Sequence, residues 1–330
     1  MVVLNSVRCS AIHTASLMLW AKPSLLHWAR DLCEAVLADP HPAVRVASFD
    51  IAYALGKHDQ NLALDLFLRA YLGGESRRTA AQPADASACA DVAVAVQHGP
   101  LLVRVLWKQE APMTPLLQKA LTSKDPKTAQ LGGYWATVGF ILQGAYAQLA
   151  QQAVAGTPSQ KVGAAHALAD LAHFHEECRA VCLARLVEFL NDSAEEVLDA
   201  CDRVFRRDGF LHMEGAPAFC EKFALSPAFA RGPTYLVHQL QQHEGSLLPF
   251  IGTVEACVKQ FAGPLAASTQ SMAHSNATAG SDMSTILLRL YQQAEAADVA
   301  SVRSRCLDQW DALLEARVGT GMDFLSKLDA

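Results

Sequence analysis

Apolar residues recurring at steps of three and four constrain this chain more than any other feature. Near the C-terminus, Met283, Ile286, Leu287, Leu290, Tyr291 and Ala294 fall on one stripe, and Val299, Val302, Cys306, Leu307, Trp310, Leu313 and Leu314 on a second. A helix places such positions on one face, whereas a strand would scatter them over two. Asp282 stands where it can cap the first of these helices, and Gly319 and Gly321 where they stop the second. Period-two alternation of β-branched residues is rare, so the fold class is read as all-α. With 51% apolar and 18% charged residues over 330 positions, the chain has the material for a large core and lacks the composition of a disordered one.

Helix starts are punctuated repeatedly. Asp39-Pro40, Asp125-Pro126, Thr157-Pro158 and Ser226-Pro227 each set a capping side chain before a proline, which the first helical turn tolerates because its missing N–H is not needed there. The intervals of 86, 32 and 69 residues are near multiples of one helical-hairpin repeat. The stretch Leu37-Ala-Asp39-Pro-His-Pro-Ala-Val44-Arg-Val-Ala47 also lies without a gap over Leu190-Asn-Asp192-Ser-Ala-Glu-Glu-Val197-Leu-Asp-Ala200. Val162-Gly-Ala-Ala165 repeats the ending. A small alanine lets a neighbouring helix approach closely, and a helix that cannot bury its apolar face alone must stack on the next unit.

These residues resemble HEAT repeats, the helix–turn–helix units of armadillo-type α-solenoids. Asp39, Val44 and Ala47, then Asp192, Val197 and Ala200, follow that family's turn and first-helix pattern. Arg45 matches the basic residue after the valine, while Leu198 and Gly163 depart from it. The resemblance spans residues 36–72 and 158–206 and implies a right-handed α-solenoid of about eight stacked hairpins. A second resemblance covers Ile286-Leu-Leu-Arg-Leu-Tyr291 and Val302 to Glu315, which are similar to the tail of large bacterial HEAT-repeat proteins, some bearing a STAND-type NTPase domain. It implies that the chain is the repeat part of such a system; no active residue carries across.

The expected organisation is a solenoid over 1–262 with an irregular insertion near 206–234, a flexible linker at 263–281, and C-terminal helical repeats over 282–330 that continue or cap it. The insertion mixes Gly, Pro and aromatics; the linker is rich in Ala, Ser, Thr and Gly; Gly73 to Ser87, with Arg77-Arg78, reads as a loop. Residues 1–30 hold no acid but lack an unbroken apolar run with a cleavage site, so an ordinary first helix is expected there. The uncharged stretch 128–160 is interrupted by Gln143, Gln148, Gln151 and Gln152, and reads as a helix buried on most faces rather than a membrane span. Nine cysteines, odd in number and irregularly spaced, read as reduced core thiols and point to the cytoplasm. The sequon at Asn276 has no companion sign of secretion.

Chemistry is sparser. His166, His173, His175, Glu176, Glu177, Cys178 and Cys182 supply zinc-type ligands, with Cys178 and Cys182 on one helix face. Yet neither His-Glu-x-x-His nor Cys-x-x-Cys occurs, and a polar turn with buried thiols is the expectation. His175-Glu176 and His243-Glu244 resemble the His-Glu dyads by which the HEAT-type enzyme deoxyhypusine hydroxylase holds two irons. That family uses four dyads and continues an Ala-rich helix where Gly245 stands here. Asp199, Asp202 and Asp208 lie among Arg203, Arg206 and Arg207, as expected of a solvated, ion-paired face. No phosphate loop and no Gly-x-Ser-x-Gly elbow is present, and Gly132-Gly133 sits inside an apolar helical run.

The expected function is non-catalytic: a scaffold binding a protein or peptide partner on its surface. No catalytic, cofactor-binding or metal-ligating residue is assigned, and the alternative is a metal-dependent enzyme using the dyads. A net charge of −6 and only two basic doublets, Arg77-Arg78 and Arg206-Arg207, argue against nucleic acid, and no membrane association is expected. Oligomeric state stays open.

Overall fold

Every regular element among the described residues is helical, and no strand occurs among them. The computed structural model describes residues 7–37, 39, 42–59, 61–63, 110–265, 273–316 and 318. The expected loop at Gly73 to Ser87, the doublet Arg77-Arg78, Cys89, Gly319 and Gly321 lie outside these residues. Two units divide the chain, Met1–Ala164 and Ala165–Ala330.

In the first unit, α1 (Val7–Ala21) and α2 (Leu26–Leu37) both pack on α3 (Pro42–Gly56). The first helix buries Cys9, Ile12, Ser16 and Leu19, one stripe at helical spacing, as an ordinary first helix should. Its last carbonyls, which have no partner within the helix, are met from the turn after α3. Lys57 Nζ donates to Trp20 O at 3.2 Å, and the His58 ring lies 3.1 Å from Leu19 O.

Next, α4 (Glu110–Leu121), α5 (Pro126–Gln143) and α6 (Ala147–Ala155) pack on one another. Asp125 caps α5 as expected, accepting from Thr128 N at 2.8 Å, and Gly144, in the left-handed conformation, closes its C-terminus. The central run of α5 is buried on most faces, from Thr128 through Gly139, and no described helix is long and apolar enough to cross a membrane. At the start of α7 (Pro158–Phe174), Thr157 and Gln160 form a capping box: Thr157 N donates to Gln160 Oε1 at 2.8 Å, and Gln160 N approaches Thr157 Oγ1 at 3.5 Å. Gln160 Nε2 also donates to Leu121 O at 2.6 Å, closing the C-terminus of α4 from 39 residues downstream.

One expected cap is used otherwise. Ser226 precedes α11 but its hydroxyl donates back to Phe223 O at 2.7 Å, so a partner outside the new helix takes the side chain. The Asp39 carboxylate, ahead of α3, pairs with Arg8 at 2.6 Å.

The second unit continues with α8 (Arg179–Phe189), α9 (Glu195–Cys201), α10 (Ala216–Ala224), α11 (Pro227–Arg231), α12 (Pro233–Gln242), α13 (Ile251–Ala262), α14 (Ala273–Ala296) and α15 (Ala300–Glu315). The matched positions Val44 with Ala47 and Val197 with Ala200 are all buried, on α3 and α9. Several helices meet the next helix or the one after it: α8 packs on α9 and α10, α9 on α11, α12 on α14, and α13 on α14 and α15, while α10 also packs on α13, three helices further on. Such near-neighbour packing is compatible with a helical repeat array.

Three expectations need correction here. The stretch near 206–234 contains α10 and α11, and only its first part is irregular. Its aromatics are core: Phe205, Phe210, Phe219, Phe223 and Phe229 form an unbroken ring cluster reaching Phe261, with Phe205 and Phe223 centroids 4.8 Å apart. Helix α14 begins at Ala273, so residues 273–281 are helix rather than linker, anchored by buried Ala279. Alanine is the strongest helix former, and this burial outweighs the weak propensity of Ser, Thr and Gly. Asp282 accordingly lies inside the helix and accepts from Gln241 Nε2 at 2.9 Å instead of capping. On α15, Val302, Cys306, Trp310 and Leu313 are buried as the stripe requires, while Leu307 and Leu314 are exposed.

Close approach in the first unit depends on missing side chains. A Cβ on Gly163 would sit 1.8 Å from Gln130 O, and one on Gly133 2.3 Å from Gln160 O. Alanine in a helix normally adds up to about 1 kcal/mol over glycine. Gly163→Ala is expected to do the reverse, lowering unfolding free energy by about 1–3 kcal/mol in urea titrations, because backbone atoms must move apart.

Candidate functional site

The most elaborate polar arrangement lies in the second unit around Asp170, near the end of α7. Arg203, from the 3-10 helix Asp202–Arg206, grips that carboxylate with both ends of its fork, Nε to Oδ1 at 3.0 Å and Nη2 to Oδ2 at 2.9 Å. Arg207 Nη2 adds a contact to Oδ1 at 3.2 Å. Alongside, Arg206 pairs with Asp202 at 2.8 Å, and Arg231 pairs with Asp199 at 3.0 Å and Glu195 at 3.2 Å.

Within the expected set only Asp202–Arg206 pairs; Asp199 pairs with Arg231, and Arg203 and Arg207 with Asp170, and the face is not simply solvated. Asp170 and Asp202 are buried, and burial pushes the Asp202 carboxyl up against the opposing pull of Arg206. Asp170 escaped sequence reasoning because its partner lies 33 residues away. One hairpin length was the only signal that could have joined them.

Two histidines sense the same charges. Burial, followed by the Arg203 charge, pushes His166 down to about 4. Burial, then Arg207 and Arg179, lowers His173, whose Nδ1 is buried with no hydrogen-bond partner among the described residues. Both imidazoles are thus neutral near pH 7.

The zinc-type set does not assemble. His175 precedes the 3-10 turn Glu176–Cys178, with its Nδ1 3.1 Å from Glu177 Oε1, while Glu176 reaches Arg179 at 3.9 Å. Cys178 and Cys182 share a face as expected, their sulfurs 3.8 Å apart. Burial raises both thiols, which keeps them protonated and poor ligands. No described cysteine forms a disulfide, and all of them are buried.

The His-Glu dyads fare no better as a ligand set. His243 is buried, its ring 4.5 Å from His212 and 5.6 Å from Phe250, and Arg289 donates to the carbonyls of both Gln241 and His243. Glu244 is exposed, and His175 bonds Glu177 rather than serving with Glu176. Among the described residues no group of three or more His, Cys, Asp or Glu side chains is placed to hold a metal ion, so the residues present do not fit a di-iron centre.

Exposed apolar side chains occur on both units, among them Leu17, Met18 and Trp20 on α1 of the first. Phe174, Val181, Leu225, Tyr235, Leu307 and Leu314 are all exposed. An open groove between α10, α13 and α15 is lined by Glu221, Leu225, Gly252, Ala256, Lys259 and Ala312. No protein-family model, no curated protein and no solved structure matches the chain.

Two measurements check this electrostatic account. A double-mutant cycle on Asp170→Ala and Arg203→Ala should return a coupling of about 1–2 kcal/mol, since a two-pronged pair on a buried carboxylate exceeds an exposed one. His166 ordinarily titrates at 6.5 and here near 4, so between those values the unfolded chain binds a proton that the folded chain does not. Stability should therefore fall as pH drops from 6.5 toward 4, and His166→Gln should flatten that slope.

Proposed function

We propose that the chain is a HEAT-like helical repeat protein, a right-handed solenoid of about eight hairpins, whose surface binds a protein or peptide partner without catalysis. What carries this reading is the recurrence of polar links at one hairpin length. They run from Arg8–Asp39, 31 residues apart, through Gln160–Leu121 at 39 to Arg305–Glu255 at 50. Each ties a side chain to the corresponding region one hairpin away, which is the bonding that stacking of similar units requires.

A rigid stack holds exposed side chains at fixed spacing, so partner recognition needs no moving part. Exposed Tyr235, Arg206 and Arg207 of the second unit are residue types that dominate binding energy when buried by a partner. Buried thiols without disulfides on the described part of the chain suit a reducing compartment, and a cytoplasmic location accompanies the reading.

Affinity purification of the full chain from its source cell, with mass spectrometry, is expected to recover a reproducible protein partner. Elemental analysis of the purified chain is expected to give no stoichiometric iron or zinc; one metal per chain would overturn the scaffold reading in favour of an enzyme.

A further inference from the structure

The arginine network of the second unit is layered. Its carboxylates lie beneath: the side chains of Asp170 and Asp202 are 11% and 8% exposed. The guanidiniums lie above, with Arg206 at 48% and Arg207 at 36%. A chain whose net charge is −6 therefore turns a positive layer outward at this place. The neighbouring acids are occupied elsewhere, Glu176 with Arg179, Glu177 with His175, and Glu195 and Asp199 with Arg231; exposed Asp208 stands at the rim.

Two aromatics extend the layer. The Arg207 guanidinium sits 4.3 Å from the ring centroid of Phe174, which is 62% exposed. The Arg206 guanidinium sits 5.1 Å from that of Tyr235, which is 43% exposed. Phe174 leaves most of its surface open to water at the end of α7, its ring packed edge-on against His173. Both cations are held in place from below and from the side, so little side-chain entropy remains to be lost when a ligand binds. Arg207 meets Asp170 through Nη2 alone, and Arg206 places two nitrogens on a single oxygen of Asp202. The remaining N–H donors of each fork have no partner among the described residues.

We propose that the strip Phe174, Arg207, Arg206 and Tyr235 docks an acidic segment of a partner protein. Carboxylates of that segment take the open donors of Arg206 and Arg207, and its apolar side chains lie against the two rings. The proposal rests on the protein-binding function above and names its face and the chemistry of its partner. A peptide is favoured over a phosphate backbone because the cations number two at the strip itself, whereas a nucleic acid needs a positive track over many phosphates.

The test uses the full chain and three labelled probes: a peptide alternating Asp or Glu with Leu, the same peptide with Asn and Gln replacing the acids, and an oligothymidylate of equal charge. Fluorescence anisotropy should show the acidic peptide binding, weakening with added salt, and the neutral peptide binding at least about tenfold less tightly. Arg206→Ala with Arg207→Ala, and separately Phe174→Ala, should each weaken the acidic peptide by about tenfold or more. Arg206→Lys with Arg207→Lys keeps both charges over the buried aspartates and should still lose affinity, because lysine lacks the planar fork. Thermal melts of each variant guard against misfolding, and Phe174→Ala truncates a mostly exposed ring.

Undiminished binding by the variants, no binding by the wild type, or tighter binding of the oligothymidylate overturns the proposal. If cellular partners are still captured by the Arg206→Ala, Arg207→Ala chain, the strip is wrong while the scaffold function stands. If the wild type captures none, the scaffold function itself fails.

Discussion

The structure depends on how helix ends are satisfied. An α-helix leaves its last carbonyls without partners, and a protein of many short helices multiplies that debt. Here the acceptors are met by side chains from the neighbouring hairpin. Lys57 and His58 serve the end of α1, Gln160 serves α4, and Arg289 serves α12 through Gln241 and His243. Each of these bonds does two things together: it closes a helix and it fixes the register of one hairpin against another. Apolar packing alone, being non-directional, would leave that register soft.

Between those polar ties the two units fill space differently. The first uses absence, with Gly133 and Gly163 letting backbones meet where any Cβ would intrude. The second uses bulk, with six phenylalanine rings in sequence from Phe205 to Phe261. Edge-to-face ring pairs add about 0.5–1.5 kcal/mol each beyond the area they bury, so that cluster is stiff as well as apolar. It sits beneath the 3-10 helix that presents Arg203 and Arg206, which explains how a short and irregular element holds charged side chains in fixed positions.

Local patterns were readable from the chain, and distant partnerships were not. Asp125 and Thr157 announced helix starts because a cap needs only its next three residues. Ser226 looks the same in sequence, yet its hydroxyl turns back to the Phe223 carbonyl. The stripes of α14 and α15 were legible from period alone, whereas the start of α14 was not, since its Ser, Thr and Gly content reads as loop until Ala279 is seen to be buried. The aromatics of residues 206–234 carried the opposite lesson: Gly and Pro around them suggested irregularity, and their burial was decided by what packs over them. At the candidate site, the arginine doublet was visible, but Asp170, Phe174 and Tyr235 enter only once three distant segments converge.

The reach of the polar ties has a consequence for how the molecule comes together. Bonds such as Arg203–Asp170 and Gln241–Asp282 close loops of 33 and 41 residues, and loop-closure entropy rises only with the logarithm of that length. No single long-distance encounter has to precede the rest. On the repeat reading proposed above, assembly can begin at any well-packed pair of hairpins and spread outward, and loosening can likewise stay confined to one neighbourhood while the remainder keeps its shape.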